Sequence, residues 1–227
     1  MDTLISKVFK HQAWHFLFIV FFSLVFFIVF EFNAFLSGQL WGISTSIWAL
    51  WAISAAVFHH IYVLLTWRLE MYYHILSKSL GKYTFLIYEI GFFLFFFGRI
   101  ILIFLLAFSN ASTLSLLFPI RVVIIIVIAI PMFYTFYSVI RYFGIHRAAG
   151  ADHFLQEYRE KPFEKRGIYR YSSNAMYKYA IGVVWIPGLL LGSVTALLVA
   201  LFNHLYVWVH YFTLEKPDLK ILFGTHP

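Results

Sequence analysis

Long apolar runs are the feature that most constrains what this chain can fold into. Four of them are long enough to cross the roughly 30 Å hydrocarbon core of a bilayer, which takes about 20 helical residues. They cover residues 14–36, 41–66, 83–108 and 119–140. A fifth apolar tract, 179–213, contains Pro187 and Gly192 and is too long for one span and too short for two full ones. We therefore predict an all-α integral membrane protein, a bundle of about six hydrophobic helices whose last two form a tight hairpin.

Composition supports a lipid environment. Hydrophobic residues make up 62% of the chain and charged residues 12%, whereas a soluble domain carries about 25% charged residues. A soluble protein of this composition would have too few polar side chains to cover its surface. The sequence contains no cysteine, which excludes disulfides, thiolate nucleophiles and cysteine-based metal sites.

The distribution of lysine and arginine predicts the orientation in the membrane. All 17 of them except Arg99 and Arg121 lie near the chain ends or in alternate connections, and the connections 37–40 and 109–118 contain none. Because an excess of these residues marks cytoplasmic loops, we predict that both termini are cytosolic, in a bacterial inner membrane or the endoplasmic reticulum. The net charge of +7 also suits contact with anionic lipids of the bilayer, and no motif for binding nucleic acid is present.

Arg99 lies inside the third predicted span. A charged side chain at this depth is costly and usually faces the interior of a helical bundle. Two interpretations are open at this point. Arg99 contacts the substrate, or carbonyl groups and a neighbouring helix satisfy its guanidinium.

The only long polar segment is 141–178, where tyrosine, phenylalanine and isoleucine alternate with charges. Long loops in compact proteins are usually functional or disordered, and the aromatic content argues against disorder. We therefore predict an ordered cytosolic loop that lies against the bundle. Its glycines suit turns or a close approach to a ligand. Its candidate metal ligands, His146, Asp152 and His153, match no standard zinc spacing, and we predict no metal site.

Four residues at the end of the last helix share one face, because they are spaced four, three and four apart. They are His204, Trp208, Tyr211 and Glu215. Pro217 disfavours helix at the residues before it, which predicts that Glu215 occupies the last turn. A carboxylate there opposes the helix dipole by about 0.3–1 kcal/mol, so a cation is expected nearby. Either a basic side chain such as Arg170 or a bound sulfonium or ammonium group meets this requirement.

Two stretches carry a family resemblance: RGIYRYSSNAMYKYAIGVVW and, after the hairpin, HYFTLEKPDLKILFG. Together they resemble the C-terminal signature of integral membrane phospholipid methyltransferases, with phosphatidylethanolamine N-methyltransferases nearest and isoprenylcysteine carboxyl methyltransferases related. The resemblance covers roughly 144–224. Two departures from the family pattern are Ala175 in place of the usual proline and Lys216 where many relatives have a second acid.

The resemblance implies a pocket for S-adenosylmethionine that the polar loop closes over the cytosolic ends of the last helices. It makes residues 141–227 the cofactor-binding and catalytic region beside a four-span bundle of residues 1–140, within one structural domain. The implied cofactor-binding residues are Gly150, Gly167, Tyr169, Arg170, Asn174, Met176, Tyr177 and Glu215.

For an ethanolamine headgroup the attacking nitrogen must be neutral, so Glu215 or a water that it holds would accept the proton, with His153, His204 and His210 as lesser candidates. The faces of Trp208 and Tyr211 would attract the cationic headgroup, and Arg99 is the third candidate substrate residue.

Three functions are compared. The leading one is N-methylation of phosphatidylethanolamine or its methylated derivatives, and the second is carboxyl methylation of a prenylated cysteine or another lipid-like acceptor. The third, from a different class, is a small transporter or membrane scaffold. Many transporters consist of two repeated halves, and no internal repeat is visible in this sequence.

Overall fold

The computed structural model describes residues 4–31 and 36–224, so positions 32–35 of the first predicted span lie outside the described residues. The helices up to the polar segment are α1 Leu4–Val8, α2 Ala13–Glu31, α3 Thr45–Tyr73, α4 Ile75–Leu80, α5 Thr84–Ser109 and α6 Phe118–Ser138. Those that follow are α7 Ile145–Ala148, α8 Gln156–Arg159, α9 Ala175–Lys178, α10 Ile186–Leu191, α11 Val194–His210 and α12 Lys216–Phe223.

The apolar helices confirm the predicted all-α membrane bundle. Four helical stretches are long and apolar enough to cross a membrane: Thr45–Tyr73, Ile75–Ser109, Phe118–Phe143 and Val194–Phe223. Two shorter apolar stretches, Ala13–Ile28 and Ala175–Leu191, bring the number among the described residues to six. Small residues allow helices to approach closely in a membrane, and buried alanines of α3 and α11, such as Ala52 and Ala200, meet in the main apolar core.

The second predicted span, 41–66, is displaced in the structure. Two short antiparallel strands, β1 Gln39–Leu40 and β2 Ile43–Ser44, precede α3. Trp41 and Gly42 between them both have positive φ, as a two-residue hairpin turn requires. At its other end α3 continues past 66 to Tyr73. The helix can include the charged Arg68 there because this side chain is buried against an aspartate.

The predicted hairpin is confirmed, with an irregular first leg. That leg consists of α9, the 3₁₀ stretch Ala180–Trp185 and α10. Gly192 reverses the chain with a left-handed φ of 65°, and the Ser193 side chain then accepts a hydrogen bond from the Ala196 amide. A left-handed glycine after a helix and a serine cap before one are both common at helix ends.

The prediction that the last helix ends at Glu215 is wrong. A π-helical turn, Tyr211–Glu215, follows α11 directly and leads into α12, where Pro217 lies in the first turn. Proline is tolerated there because the amides of a first turn have no partner within their own helix. Glu215 therefore lies within a continuous helical column, and the helix dipole does not account for its charge.

The connections between the helices lie at two opposite ends of the bundle. At one end the Thr45 hydroxyl donates to the Ser109 carbonyl (3.1 Å), and the Ser112 amide donates to the Leu191 carbonyl (2.9 Å). The polar segment packs at the other end, where the Trp67 and His153 rings stack with centroids 3.8 Å apart. The polar segment is ordered, as predicted, and contains α7, α8 and two 3₁₀ turns, Ala151–His153 and Gly167–Arg170.

The side of the membrane that each end faces stays a prediction and can be measured by labelling. Ser112 and Ser79 are exposed serines at opposite ends of the bundle, and no native cysteine competes for the reagent. We expect a membrane-impermeant thiol reagent to label Ser79→Cys only from the cytosolic side and Ser112→Cys only from the other side. The reverse pattern would contradict the predicted orientation.

Candidate active site

The Tyr177 side chain lies at the centre of the end that carries the polar segment. It begins the first leg of the hairpin in α9, and its hydroxyl donates a hydrogen bond to Glu215 Oε2 in the π turn. Its ring also packs against Tyr211 and Trp208, with centroids 5.1 and 5.8 Å away. The structure therefore brings together the predicted face of the last helix and the predicted Tyr177.

His204 lies on the same face but deeper in the bundle. Its Nδ1 accepts a hydrogen bond from Trp185 Nε1 at 3.1 Å. Trp185 ends the 3₁₀ stretch that follows α9. This contact holds the two legs of the hairpin together and gives His204 a structural partner.

Tyr169 has a buried hydroxyl that the surrounding side chains do not satisfy. Its ring stacks on Phe143, with centroids 4.9 Å apart, and only 7% of the residue is exposed. Burial, with a smaller contribution from the Glu215 carboxylate, raises the pKa of the Tyr169 hydroxyl. This hydroxyl and the buried Ser172 hydroxyl have no hydrogen-bond partner among residues 4–31 and 36–224. Buried polar groups normally have partners, so both can serve a ligand.

Two further carboxylates lie close enough to Glu215 to affect its ionisation. Asp152 and Asp218 both interact electrostatically with Glu215. Burial raises the pKa of the Asp152 carboxyl, while Arg147, whose Nε lies 3.3 Å from Asp152 Oδ1, opposes the shift. Asp218 is likewise paired with Arg68, so Glu215 is the carboxylate of this group that has no basic partner among the described residues.

Gly150 and Gly167 face protein side chains. Gly150 has a φ of +95°, and an added Cβ would overlap the Trp67 ring; Gly167 has a φ of +58° and lies against Ser138 in the same way. Both glycines allow the polar segment to press onto the bundle, and a cofactor contact for either of them stays a prediction. The Trp67 indole nitrogen donates to the Tyr88 hydroxyl, which donates to the Ala149 carbonyl, both at 2.7 Å.

The remaining predicted cofactor residues shortly precede Tyr177 in the sequence. Arg170 is exposed, and it forms no ion pair within the described part of the chain. Asn174 and Met176 are half-buried. The Asn174 carbonyl accepts from the Lys178 amide and so begins α9.

A comparison with known protein families shows which family this part of the chain resembles. The family model described as Phospholipid methyltransferase matches residues 120–226, from the first turn of α6 through the hairpin to the end of α12. Residues 120–226 therefore resemble a phospholipid methyltransferase domain. No curated protein and no solved structure matches the chain. The match supports a methyltransferase in a membrane protein, and it begins in α6, earlier than the sequence signature.

Two histidines of residues 120–226, His153 and His210, lie against Trp67. His153 stacks on Trp67, and its Nε2 lies 3.8 Å from Asp218 Oδ2. Burial lowers the pKa of His153 to about 3, which makes this imidazole a weak base. His210 instead forms a hydrogen bond from its Nδ1 to His60 Nδ1 at 2.8 Å.

Arg99 is satisfied by side chains of neighbouring helices. Its Nε and Nη2 donate to Asn203 Oδ1 at 3.1 and 2.7 Å, and its Nη1 donates to His59 Nδ1 at 3.2 Å. The contact joins α5 to α11 and to α3. The structure thus supports the second interpretation of this arginine, and a substrate contact stays a prediction.

An ion pair that the sequence analysis missed connects the N-terminal helices to residues 120–226. Arg68 Nη2 lies 3.2 Å from Asp218 Oδ1, and both side chains are almost fully buried. Arg68 Nη1 also donates to the carbonyls of Val8 and Lys10, both at 2.8 Å. No spacing in the sequence indicates this pair, because its members are 150 positions apart.

The three candidate metal ligands of the polar segment have separate partners. His146 Nδ1 pairs with Glu89 Oε1 at 2.6 Å, Asp152 pairs with Arg147, and His153 lies on Trp67. Within residues 4–31 and 36–224 no group of three or more side chains is arranged to hold a metal ion.

Proposed function

We propose that this protein transfers methyl groups from S-adenosylmethionine to the amine of phosphatidylethanolamine or of its methylated derivatives. The observation that carries the proposal is the Glu215 carboxylate, held by Tyr177 and bordered by the rings of Trp208 and Tyr211. A carboxylate among aromatic faces attracts positively charged groups. It lies at one end of the membrane helices, where a soluble cofactor and a lipid headgroup can meet.

The residues present fit S-adenosylmethionine, which supplies an activated methyl group on a sulfonium. Glu215 and the ring of Tyr177 would attract that positive charge. The unpaired hydroxyls of Tyr169 and Ser172 offer hydrogen bonds to the polar parts of the cofactor. The exposed Arg170 suits its carboxylate.

The negative charge of the site favours an amine acceptor. Glu215 has no basic partner within the described part of the chain, so its carboxylate would repel an acceptor carboxylate such as that of a prenylated cysteine. An ammonium headgroup would be attracted. Its nitrogen must then lose a proton before it can attack, and Glu215 is the group that we propose to draw this proton from it.

The first test measures cofactor binding by calorimetry. We expect wild-type protein to bind S-adenosylmethionine and to gain about 2.7 kcal/mol of stability at a cofactor concentration one hundred times the dissociation constant. Tyr177→Ala and Asn174→Leu should each weaken binding about tenfold or more, equivalent to about 1.4 kcal/mol, without unfolding the protein. Tyr83→Ala removes an exposed tyrosine and should bind normally. Absence of both heat and thermal stabilisation in wild-type protein would contradict the proposal.

The second measurement identifies the acceptor. The protein is expressed in a host that lacks phosphatidylcholine, and its lipids are examined by mass spectrometry. We expect mono-, di- or trimethylated phosphatidylethanolamine to appear with wild-type protein and to be absent with Glu215→Gln. Cofactor binding without any methylated phospholipid would show that the acceptor is a different molecule.

A further inference from the structure

Lys216 departs from the family pattern by placing a positive charge next to Glu215. The two residues are consecutive, so their Cα atoms are about 3.8 Å apart. Glu215 ends the π turn and Lys216 begins α12 within the same helical column. Their side chains do not pair with each other, and neither forms an ion pair with another described residue. Two unpaired opposite charges therefore leave the column side by side.

The Lys216 ammonium lies over an aromatic ring at the surface of the bundle. Its Nζ is 5.6 Å from the centroid of the Phe212 ring, which belongs to the preceding turn. Side chains of a helix point back towards its N-terminus in this way. Phe212 is 55% exposed and Lys216 is half-buried, so the ammonium is accessible from outside the bundle.

One aromatic surface joins the positive group to the negative one. Tyr177, whose hydroxyl donates to the carboxylate, packs against Trp208 and Tyr211 with centroids 5.8 and 5.1 Å away. Phe212, beneath the ammonium, packs against the same two rings at 5.8 and 5.1 Å. A ligand that lies on these rings can therefore reach both charges.

The arrangement of the two charges is complementary to a phosphoethanolamine headgroup. This headgroup has an ammonium at one end and a negatively charged phosphodiester at the other, with only two methylene groups and an ester oxygen between nitrogen and phosphorus. A carboxylate attracts the ammonium, and a lysine is a common partner for phosphate. The apolar linker can rest on the aromatic rings. An amine without a phosphate could use only the first of the two charges.

We propose that Lys216 binds the phosphate of the acceptor headgroup while Glu215 holds its amine, so that the protein selects amines linked to a phosphodiester. This inference rests on the proposed function and deepens it. Lys216 would contact the substrate away from the reacting nitrogen and methyl group. It is therefore a specificity residue, and its loss should weaken binding of the acceptor without slowing the reaction at saturating acceptor.

Three variants of Lys216 test the effect on acceptor binding. Lys216→Gln removes the charge, Lys216→Arg keeps it, and Lys216→Glu reverses it. In neutral detergent micelles we expect the KM for phosphatidylethanolamine to rise about tenfold in Lys216→Gln, because a hydrogen bond to a charged group is lost. The KM should rise further in Lys216→Glu and stay within about threefold of wild type in Lys216→Arg. The kcat of Lys216→Gln and its affinity for S-adenosylmethionine should change less than about threefold.

A second lysine of the same helix provides the matched control. Lys220 is exposed one turn further along α12, and Lys220→Gln removes the same amount of charge from the same end of the bundle. We expect its KM to match that of the wild type. An equal rise in KM in Lys220→Gln and Lys216→Gln would show a general attraction of the lysines for the micelle surface and would overturn the inference.

An amine without a phosphate separates phosphate recognition from other effects of the substitution. Octadecylamine is measured as an inhibitor of phosphatidylethanolamine methylation. We expect it to inhibit wild-type protein and Lys216→Gln equally, within about threefold, because it engages only the amine side. Loss of its inhibition in Lys216→Gln, or no inhibition of the wild type, would overturn the inference. Inorganic phosphate is tested in the same way, and inhibition by it that depends on Lys216 while the KM is unchanged would assign the lysine to free phosphate instead.

The outcomes for this inference and for the proposed function are distinguishable. Phospholipid methylation that requires Glu215 but shows an unchanged KM in Lys216→Gln would overturn the role of Lys216 and leave the proposed function intact. Absence of any methylated phospholipid with wild-type protein would overturn both.

Discussion

Glu215→Gln is expected to lower the methylation rate at least about a hundredfold in a protein that remains folded. Glutamine keeps the size of the side chain and an oxygen that accepts from Tyr177, but it removes the negative charge and the ability to take a proton. Loss of a general base typically costs 10²–10⁴-fold in rate. Methylation assays with a labelled cofactor, at saturating lipid, measure the effect directly.

The matched control for this variant is Glu157→Gln, because Glu157 is exposed on α8. It should retain wild-type activity. Unfolding in detergent should be the same for both variants and the wild type. If Glu215→Gln retained more than about half of the activity, Glu215 would be a structural residue, and the site would have to be rebuilt around His153, His204 or His210.

Asp218→Asn is expected to destabilise the protein by about 3–5 kcal/mol. Both members of its ion pair with Arg68 are buried, and removal of one partner from a buried pair leaves an uncompensated charge. The three carbonyls that Arg68 also contacts satisfy hydrogen bonds but carry no full negative charge. The loss of stability is measured as the shift in the midpoint of unfolding in a denaturing detergent.

An ion pair with one exposed member serves as the comparison. Arg166 Nη2 lies 2.7 Å from Glu164 Oε2, and the Arg166 side chain is 69% exposed while that of Glu164 is 12% exposed. Exposed pairs contribute about 0–1 kcal/mol, so Glu164→Gln should shift the unfolding midpoint little. Similar shifts in Glu164→Gln and Asp218→Asn would contradict the assignment of a stabilising role to the buried pair.

Much of the fold was predictable because it depends on local properties of the sequence. Apolar length determines which stretches span a bilayer, and this was enough to predict six apolar helices and the reversal near Gly192. Helical periodicity likewise placed Trp208, Tyr211 and Glu215 on one face. The stretch 166–185 resembled a methyltransferase signature, and the family match over 120–226 agrees with it.

Local signals failed where a partner in space changed the outcome. Pro217 predicted the end of a helix, yet the π turn before it keeps the column continuous. The second predicted span ended at 66, yet α3 continues to Tyr73 because Arg68 is buried against Asp218. In both cases the deciding contact or geometry lies outside the short window from which the prediction was made.

The sequence by itself determined the membrane class, the helices and the residues that face one another along the last column. Only the tertiary structure decided which distant groups pair with them. Gln12 meets the Thr213 carbonyl across 201 positions and His60 meets His210 across 150. Such pairs depend on the rotation and depth at which whole helices pack, and these are properties of the assembled bundle that no spacing within one helix encodes.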